Sequence, residues 1–292
     1  MTAKILYSFT IICVLLSTNN LVAQETEVEP WSPGEYMRQA TDNVFEKASL
    51  MNALSEFSFS DELCLAGAIL EVGATIALDV ELKKGEAYTL IGGGDDDVVD
   101  LDLYVVDNNG EIVASDIEDD NTPIPDFTAA YTGRYSIRMQ LISGQAPTSF
   151  VSLALLTTSG ESITEEEFGK ISTAFFEGGE TLHQVSSGVK WHDLTNQWCL
   201  LGASLNDGQS WSMENLHLGD GEHYLYASGS DNSDNIDLSL KNVDGIISAV
   251  DEEPDEFPIM ELNSSNSERY ELTVTNTKSN GRSFIMIGIL TE

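Results

Sequence analysis

Cations are what this chain has least of: 13 Lys and Arg stand against 49 Asp and Glu, a formal net charge of −36 at pH 7. That deficit excludes nucleic acid as a natural partner, because phosphate binding needs a basic surface. It disfavours anionic membrane surfaces for the same reason. Cysteine is scarce, with only Cys64 and Cys199 beyond the first residues, and no Cys-x-x-Cys pair occurs. The one long apolar run, Ile5–Leu16, is short for a bilayer span. Catalytic signatures are missing as well: there is no Gly-x-Ser-x-Gly elbow, no His-Glu-x-x-His and no phosphate-binding glycine loop. Gly92-Gly93-Gly94 leads into acids instead of Lys and a helix, surroundings that would repel phosphate.

Lys4, the apolar run and the polar Ser17–Asn20 before Ala23 have the order of an export signal, so residues 1–23 are expected to be removed. The mature chain is then periplasmic or extracellular, with no membrane-spanning segment. A high negative charge keeps such a chain in solution but opposes compaction unless cations relieve it.

The rest is a tandem duplication. One shift of 135 residues places Cys64-Leu65 on Cys199-Leu200 and Gly67-Ala68 on Gly202-Ala203. It also places Asp102-Leu103 on Asp237-Leu238, Gly110 on Gly245, Asp116 on Asp251, Asp120 on Asp255, Pro123-Ile124 on Pro258-Ile259 and Arg134-Tyr135 on Arg269-Tyr270. The expected units are 24–160 and 161–292, joined near Thr157–Glu161. Equivalent cysteines could meet as a disulfide across a pseudo-twofold interface or stay as two small buried hydrophobes.

Each unit opens with a helix. Ser32-Pro33 with Glu35 reads as a capped start, and Met37, Ala40, Val44, Ala48 and Met51 fall on one helical face. Phe168, Ile171, Phe175, Gly179 and Leu182 repeat that spacing after a cap at Ser162 with Glu165. Short β-branched and aromatic runs follow in the first unit: Thr75–Leu82, Ala87–Ile91, Leu101–Val106, Glu111–Ala114, Arg134–Leu141 and Phe150–Leu155. Turn residues punctuate them, and Asp107-Asn108-Asn109-Gly110 is expected to close a hairpin with positive φ at both Asn109 and Gly110. The fold class is therefore mainly β: two tandem antiparallel β-sandwiches of jelly-roll type, each preceded by one amphipathic helix, packed as a pseudo-symmetric pair.

The chemistry-bearing residues are acids. Asp100 and Asp102 alternate with Leu101 and Leu103, so both carboxylates project from the face opposite the core, and the returning strand brings Asp116 to the same edge. Gathered carboxylates repel unless solvated, protonated or bridged by a cation. Calcium, which takes six to eight oxygens in loose geometry, suits them. The candidate ligands are Asp100, Asp102, Asp116 and Asp120, with Asp237 and Asp251 in the second copy; the alternative is solvated acidic loops in a salt-adapted protein. His183, His192, His217 and His223 lack counterparts in the first copy and read as surface or packing residues. Trp31, Trp191, Trp198 and Trp211 read as packing residues, with sugar stacking as the alternative.

The run from Asp100 to Asp116 (DLDLYVVDNNGEIVASD), with Asp120-Asn121-Thr122-Pro123 and Gly133-Arg134-Tyr135-Ser136-Ile137, resembles bacterial pre-peptidase C-terminal domains. More distantly it is similar to the jelly-roll P-domains of subtilisin-type proteases. The resemblance spans about residues 63–156 and, more weakly, 198–290, where Ser239 replaces Tyr104 and Glu268 replaces Gly133. It implies β-sandwich modules on secreted proteins, usually non-catalytic, some binding calcium and some binding polymers. The expected function is an exported, non-catalytic binding or structural protein with a protein or polysaccharide partner. The alternative is a secreted hydrolase acting on polysaccharide through two carboxylates. Acids sharing a concave pocket with Trp would favour the sugar-binding or hydrolase reading; acids on separate loop edges would favour the module.

Overall fold

A computed structural model describes residues 34–185, 188–191, 196–265 and 268–292. The first copy runs α1 (Glu35–Leu54), β1 (Ser58–Phe59), β2 (Glu62–Glu71), β3 (Thr75–Leu82), β4 (Ala87–Gly94), β5 (Val98–Val106), β6 (Ile112–Asp116), β7 (Asp126–Thr128), β8 (Gly133–Gly144) and β9 (Thr148–Thr157). The second runs α2 (Glu165–Val185), β10 (Lys190–Trp191), β11 (Gln197–Leu205), β12 (Ser210–Leu216), β13 (Gly221–Gly229), β14 (Ser233–Asn242), β15 (Ile247–Asp251), β16 (Ile259–Ser264), β17 (Tyr270–Ser279) and β18 (Ser283–Thr291). Two four-stranded antiparallel sheets, β3-β8-β5-β6 and β12-β17-β14-β15, repeat one order. The remaining strands join in a single ten-stranded sheet whose path is β16-β13-β18-β11-β2-β9-β4-β7, with β1 and β10 added on β9 and β18.

Burial explains why some strands show in the pattern and others do not. β3 alternates exposed and buried residues along its whole length, as a strand with one wet face must. β2, β9 and β18 are buried nearly throughout, because the large sheet is covered on both sides. Adjacent glycines of β4 show the two covers. A Cβ on Gly92 would meet Leu103 and Pro123 at 2.8–3.0 Å, and one on Gly93 would meet Val44 of α1 at 2.9 Å. The glycine run is thus room for packing, with the sandwich on one side and a helix on the other.

Both helices bury the expected stripe: Met37, Ala40, Val44 and Ala48 in α1, and Phe168, Ile171, Phe175 and Gly179 in α2. Ser32 and Pro33 lie outside the described residues, as do residues 1–23, where an export signal is expected. The second cap sits two residues later than the spacing suggests: the Glu167 amide donates to Thr164 Oγ1 at 3.1 Å, so Thr164-x-x-Glu167 takes the place expected of Ser162 and Glu165. The β5–β6 turn also differs. Only Gly110 has positive φ, because the Asp107 carboxylate accepts the Asn109 and Glu111 amides and holds the turn from its first residue.

The copies meet through β2 and β11, which pair antiparallel with Leu65 opposite Gly202, Ala66 opposite Leu201 and Gly67 opposite Leu200. Under the 135-residue shift the first and third pairs exchange and Ala66–Leu201 maps onto itself, so a pseudo-twofold axis passes between Ala66 and Leu201. Phe45 of α1 stacks on Phe168 of α2 at 3.6 Å between ring centres, and one hydrophobic core spans both copies. The described residues form one compact unit, so the expected boundary near 160 falls at a loop within it.

Cys64 and Cys199 are free thiols. Each is the extra residue of a bulge in the β2–β11 ladder, and three ladder pairs, Leu65–Gly202 to Gly67–Leu200, separate the two bulges. Cys64 Sγ donates to the Gly202 carbonyl and Cys199 Sγ to that of Gly67. Burial pushes both thiols up to about 12. They belong to the core, and the disulfide alternative is corrected.

Candidate functional site

The six candidate metal ligands divide by what their oxygens touch. Asp116 spends both on its own loop: Oδ1 accepts the Glu118 amide at 3.2 Å and Oδ2 the Ile124 amide at 2.8 Å. Asp251 does the same with Glu253 at 3.0 Å and Ile259 at 2.8 Å. Asp120 Oδ1 accepts the Thr122 amide, as Asp255 accepts that of Phe257. The carbonyls of Asp120 and Asp255 hold the amides of Leu101 and Ile236. Lys47 of α1 also stands beside Asp120, binding Thr122 at 2.9 Å. The repeated acids of these loops act as backbone staples, which is why both copies carry them.

Asp100, Asp102 and Asp237 differ. Asp102 accepts the Tyr104 hydroxyl at 2.6 Å, which pushes that phenol up to about 12. Asp237 accepts the Thr277 hydroxyl at 2.7 Å. Asp100 Oδ1, Asp237 Oδ1 and Asn235 Oδ1 are each enclosed without a hydrogen-bond partner. Burial first, then Asp102, Asp119 and Asp120, raise the Asp100 carboxyl above its usual value. Those oxygens fit cation ligands in kind. Among the described residues, however, no three His, Cys, Asp or Glu side chains gather around a common point for a metal.

Asp95, beside this group, is buried and structural. It accepts the Phe150 amide at 2.7 Å and the Asp97 amide at 3.1 Å. Burial outweighs both and pushes it up to about 6.

The concave surface lies elsewhere, on the pseudo-twofold axis. A cleft of about 540 Å³ opens between β3 and β12, the edge strands of the two four-stranded sheets, over β2 and β11. That volume is within the range of small-ligand sites. Half-buried Trp211 and Met213 and the edge of buried Trp198 supply apolar surface, and Asp61, Glu62, Asp79, Glu81 and Glu214 supply acid. Arg134 reaches across from β8 to bond Glu214 at 2.8 Å and stands 3.7 Å from Asp79. The Glu214 hydrogen bond, then the charges of Glu214 and Asp79, raise its guanidinium further. All three groups are half exposed or more, so this pairing is worth at most about 1 kcal/mol and is readily exchanged.

The described histidines lie apart except His217 and His223, which are close enough that, after burial, the charge of His217 lowers the His223 imidazole. His183 contacts the Val189 carbonyl, His223 is buried against Thr291, His217 lines the cleft, and His192 lies outside the described residues, like Trp31. Trp191 packs among Phe175, Phe176 and Tyr226. The expected discriminator therefore divides: the predicted acids lie in β5, β6, β14 and β15 and the loop after β6, outside the cleft, while a different set of acids shares the cleft with two tryptophans.

No family model matches the chain, and no curated protein sequence matches it. Among solved structures it is similar to PliG of Aeromonas hydrophila, a periplasmic inhibitor of g-type lysozyme, at 15% identity over 34% of this chain and 88% of that one, with a TM-score of 0.27. It is similar to the tandem CBM51 modules of a family 98 glycoside hydrolase from Streptococcus pneumoniae, at 11% identity over 77% and 83%, with a TM-score of 0.23. The exported protein XepA of PBSX matches at 9% identity over 78% and 85%, with a TM-score of 0.24. At such scores none of the three speaks to what this chain binds.

Proposed function

We propose that the chain is an exported, non-catalytic binding protein whose ligand site is the cleft on the pseudo-twofold axis. The observation that carries this reading is the cleft itself: apolar Trp211 and Met213 ringed by acids, built where two copies meet. Asp79 and Glu214 converge on one guanidinium, an arrangement suited to holding charge. A glycosidase pair needs instead one carboxylic acid to protonate the leaving oxygen and a second carboxylate to act as base or nucleophile across the scissile bond. Export rests on the signal pattern of residues 1–23. Each copy is read as a jelly roll of the pre-peptidase C-terminal kind, supported by the orders β2-β9-β4-β7 and β3-β8-β5-β6 and their repeat in the second copy.

Calcium enters this reading at Asp100 with its neighbour Asp102, and at Asn235 and Asp237; Asp100, Asn235 and Asp237 each enclose one oxygen without a hydrogen-bond partner. It would neutralise acids there and stabilise the loops. Asp116, Asp120 and Asp251 are staples and are not needed for it.

The test is a thermal-shift screen of cationic peptides and neutral oligosaccharides on the mature chain and on Trp211→Ala. Ligand-induced shifts in the parent that vanish in the variant are expected. Shifts that survive Trp211→Ala would move the site away from the cleft.

A further inference from the structure

The two walls of the cleft are not equivalent. In an antiparallel strand the N–H and C=O of one residue point to the same side, and alternate residues point to opposite sides. Trp198 Nε1 donates to the Ala77 carbonyl at 2.9 Å, so Ala77 turns its backbone away from β8 and into the cleft. Under the 135-residue shift its counterpart is Ser212, and the register agrees: Ala77 lies opposite Arg138, Ser212 opposite Thr273. Ser212 therefore also turns its backbone into the cleft. The counterpart of Trp198 is Leu63, which has no donor to offer. One edge is sealed by an indole and the other is open.

We propose that this cleft binds an extended, cationic polypeptide segment, which adds as a strand to the open edge of β12. The inference rests on the cleft being the ligand site and names its ligand class. Main-chain pairing along the regular stretch Ser210–Met213, before the bulge that precedes Leu216, supplies the affinity common to all strand addition. The charge of the walls chooses the partner: Glu62, Asp79, Glu81 and Glu214 line the cleft with Arg134 among them, while Asp61 is already paired with Arg282 at 2.9 Å. Those acids repel the edge strands of a second copy of this chain, itself at −36, as charged edges generally do. They attract lysine or arginine on an incoming strand. Arg134 already occupies the position of such a cation, bonded to Glu214 and near Asp79. A basic side chain of the ligand takes that position, and the exposed guanidinium swings out to solvent.

The test uses the full mature chain and a Lys-Thr-Lys-Val-Lys-Thr-Lys peptide, with binding followed by calorimetry and by tryptophan fluorescence. Three comparisons go with it: the same peptide methylated at every backbone nitrogen, a Glu-for-Lys version, and chitohexaose. On the protein side, Ser212→Pro removes the cleft-facing N–H from an edge where proline is tolerated, while Ser212→Ala keeps it. Expected are binding of the lysine peptide to the parent and to Ser212→Ala, and at least tenfold weaker binding by Ser212→Pro, the methylated peptide and the glutamate peptide. Should Ser212→Pro fail to fold, the methylated peptide still decides the matter on the parent protein. Equal binding of methylated and unmethylated peptides overturns strand addition but leaves the cleft as the ligand site. Binding of chitohexaose alone, sensitive to Trp211→Ala, overturns the peptide in favour of a sugar. If no probe changes the fluorescence or releases heat, both this inference and the cleft reading fall.

Discussion

Asp116 and Asp251 hold the same two amides in the two copies with distances that agree within 0.2 Å, whereas Trp198 and Leu63, also equivalent in sequence, do opposite things. The loops kept their acids because each carboxylate satisfies backbone donors that water would otherwise have to reach. The cleft walls diverged because nothing in the framework depends on them being alike. The two copies agree in what holds the chain in shape and differ in what faces the axis.

The largest effect that tests this symmetry lies at the axis. Leu65 and Leu200 are fully buried and face Gly202 and Gly67. Leu65→Ala and Leu200→Ala are each expected to cost about 2–5 kcal/mol, in a single urea transition because the core is shared. A mild effect in one copy, or two separate transitions, would break the equivalence. Next comes Asp95, whose counterpart is Ser230. The folded protein holds this carboxyl at about 6 against an ordinary 3.8, so the folded state binds the proton more tightly. Its share of stability is greatest below about pH 4 and is lost as pH rises through about 6, on the order of 1–3 kcal/mol. Asp95→Ser, which imports the second copy's solution, is expected to flatten that slope in denaturation midpoints taken from pH 4 to 7.

Asp116→Ala and Asp251→Ala should each cost about 1–2 kcal/mol, since each loses two charge-assisted backbone bonds. Matched thermal melts of the two variants check whether the staples are equal. The smallest effect concerns calcium. At an ion concentration equal to its Kd, stabilisation is about 0.4 kcal/mol, seen as a Tm rise absent with magnesium at matched ionic strength. Asp100→Asn is expected to remove it and Asp116→Ala to keep it. Equal shifts in every salt would reduce the acids to screened charge.

Local pattern reached the one-sided elements. β3 was readable over Thr75–Leu82 because one face is wet, and both helices because their stripes face a single sheet. Whereas β9, equally covered, showed through Phe150 and Val151, β2 escaped because Leu63-Cys64-Leu65-Ala66-Gly67-Ala68 is an apolar run without alternation and without β-branched or aromatic residues. These same residues announced the duplication without revealing that the copies pair through them. The acid loops were located correctly, but carboxylates that ligate an ion and carboxylates that cap amides look alike in sequence. The cleft was hidden for a different reason. Its walls come from residues as far apart as Ser60 and His217, and only the antiparallel register of β2 and β11 brings them face to face.

That register has the form of an isologous contact, in which residue i meets j and j meets i. Between two separate identical chains, any change on one wall of the cleft would be forced onto the other, and a Trp198 on both sides would seal both edges. A single covalent chain lifts that constraint and supplies the neighbouring half at a high effective concentration. Covalent linkage thus lets one half keep a closed wall while the other stays open, turning a symmetric seam into a groove with a direction.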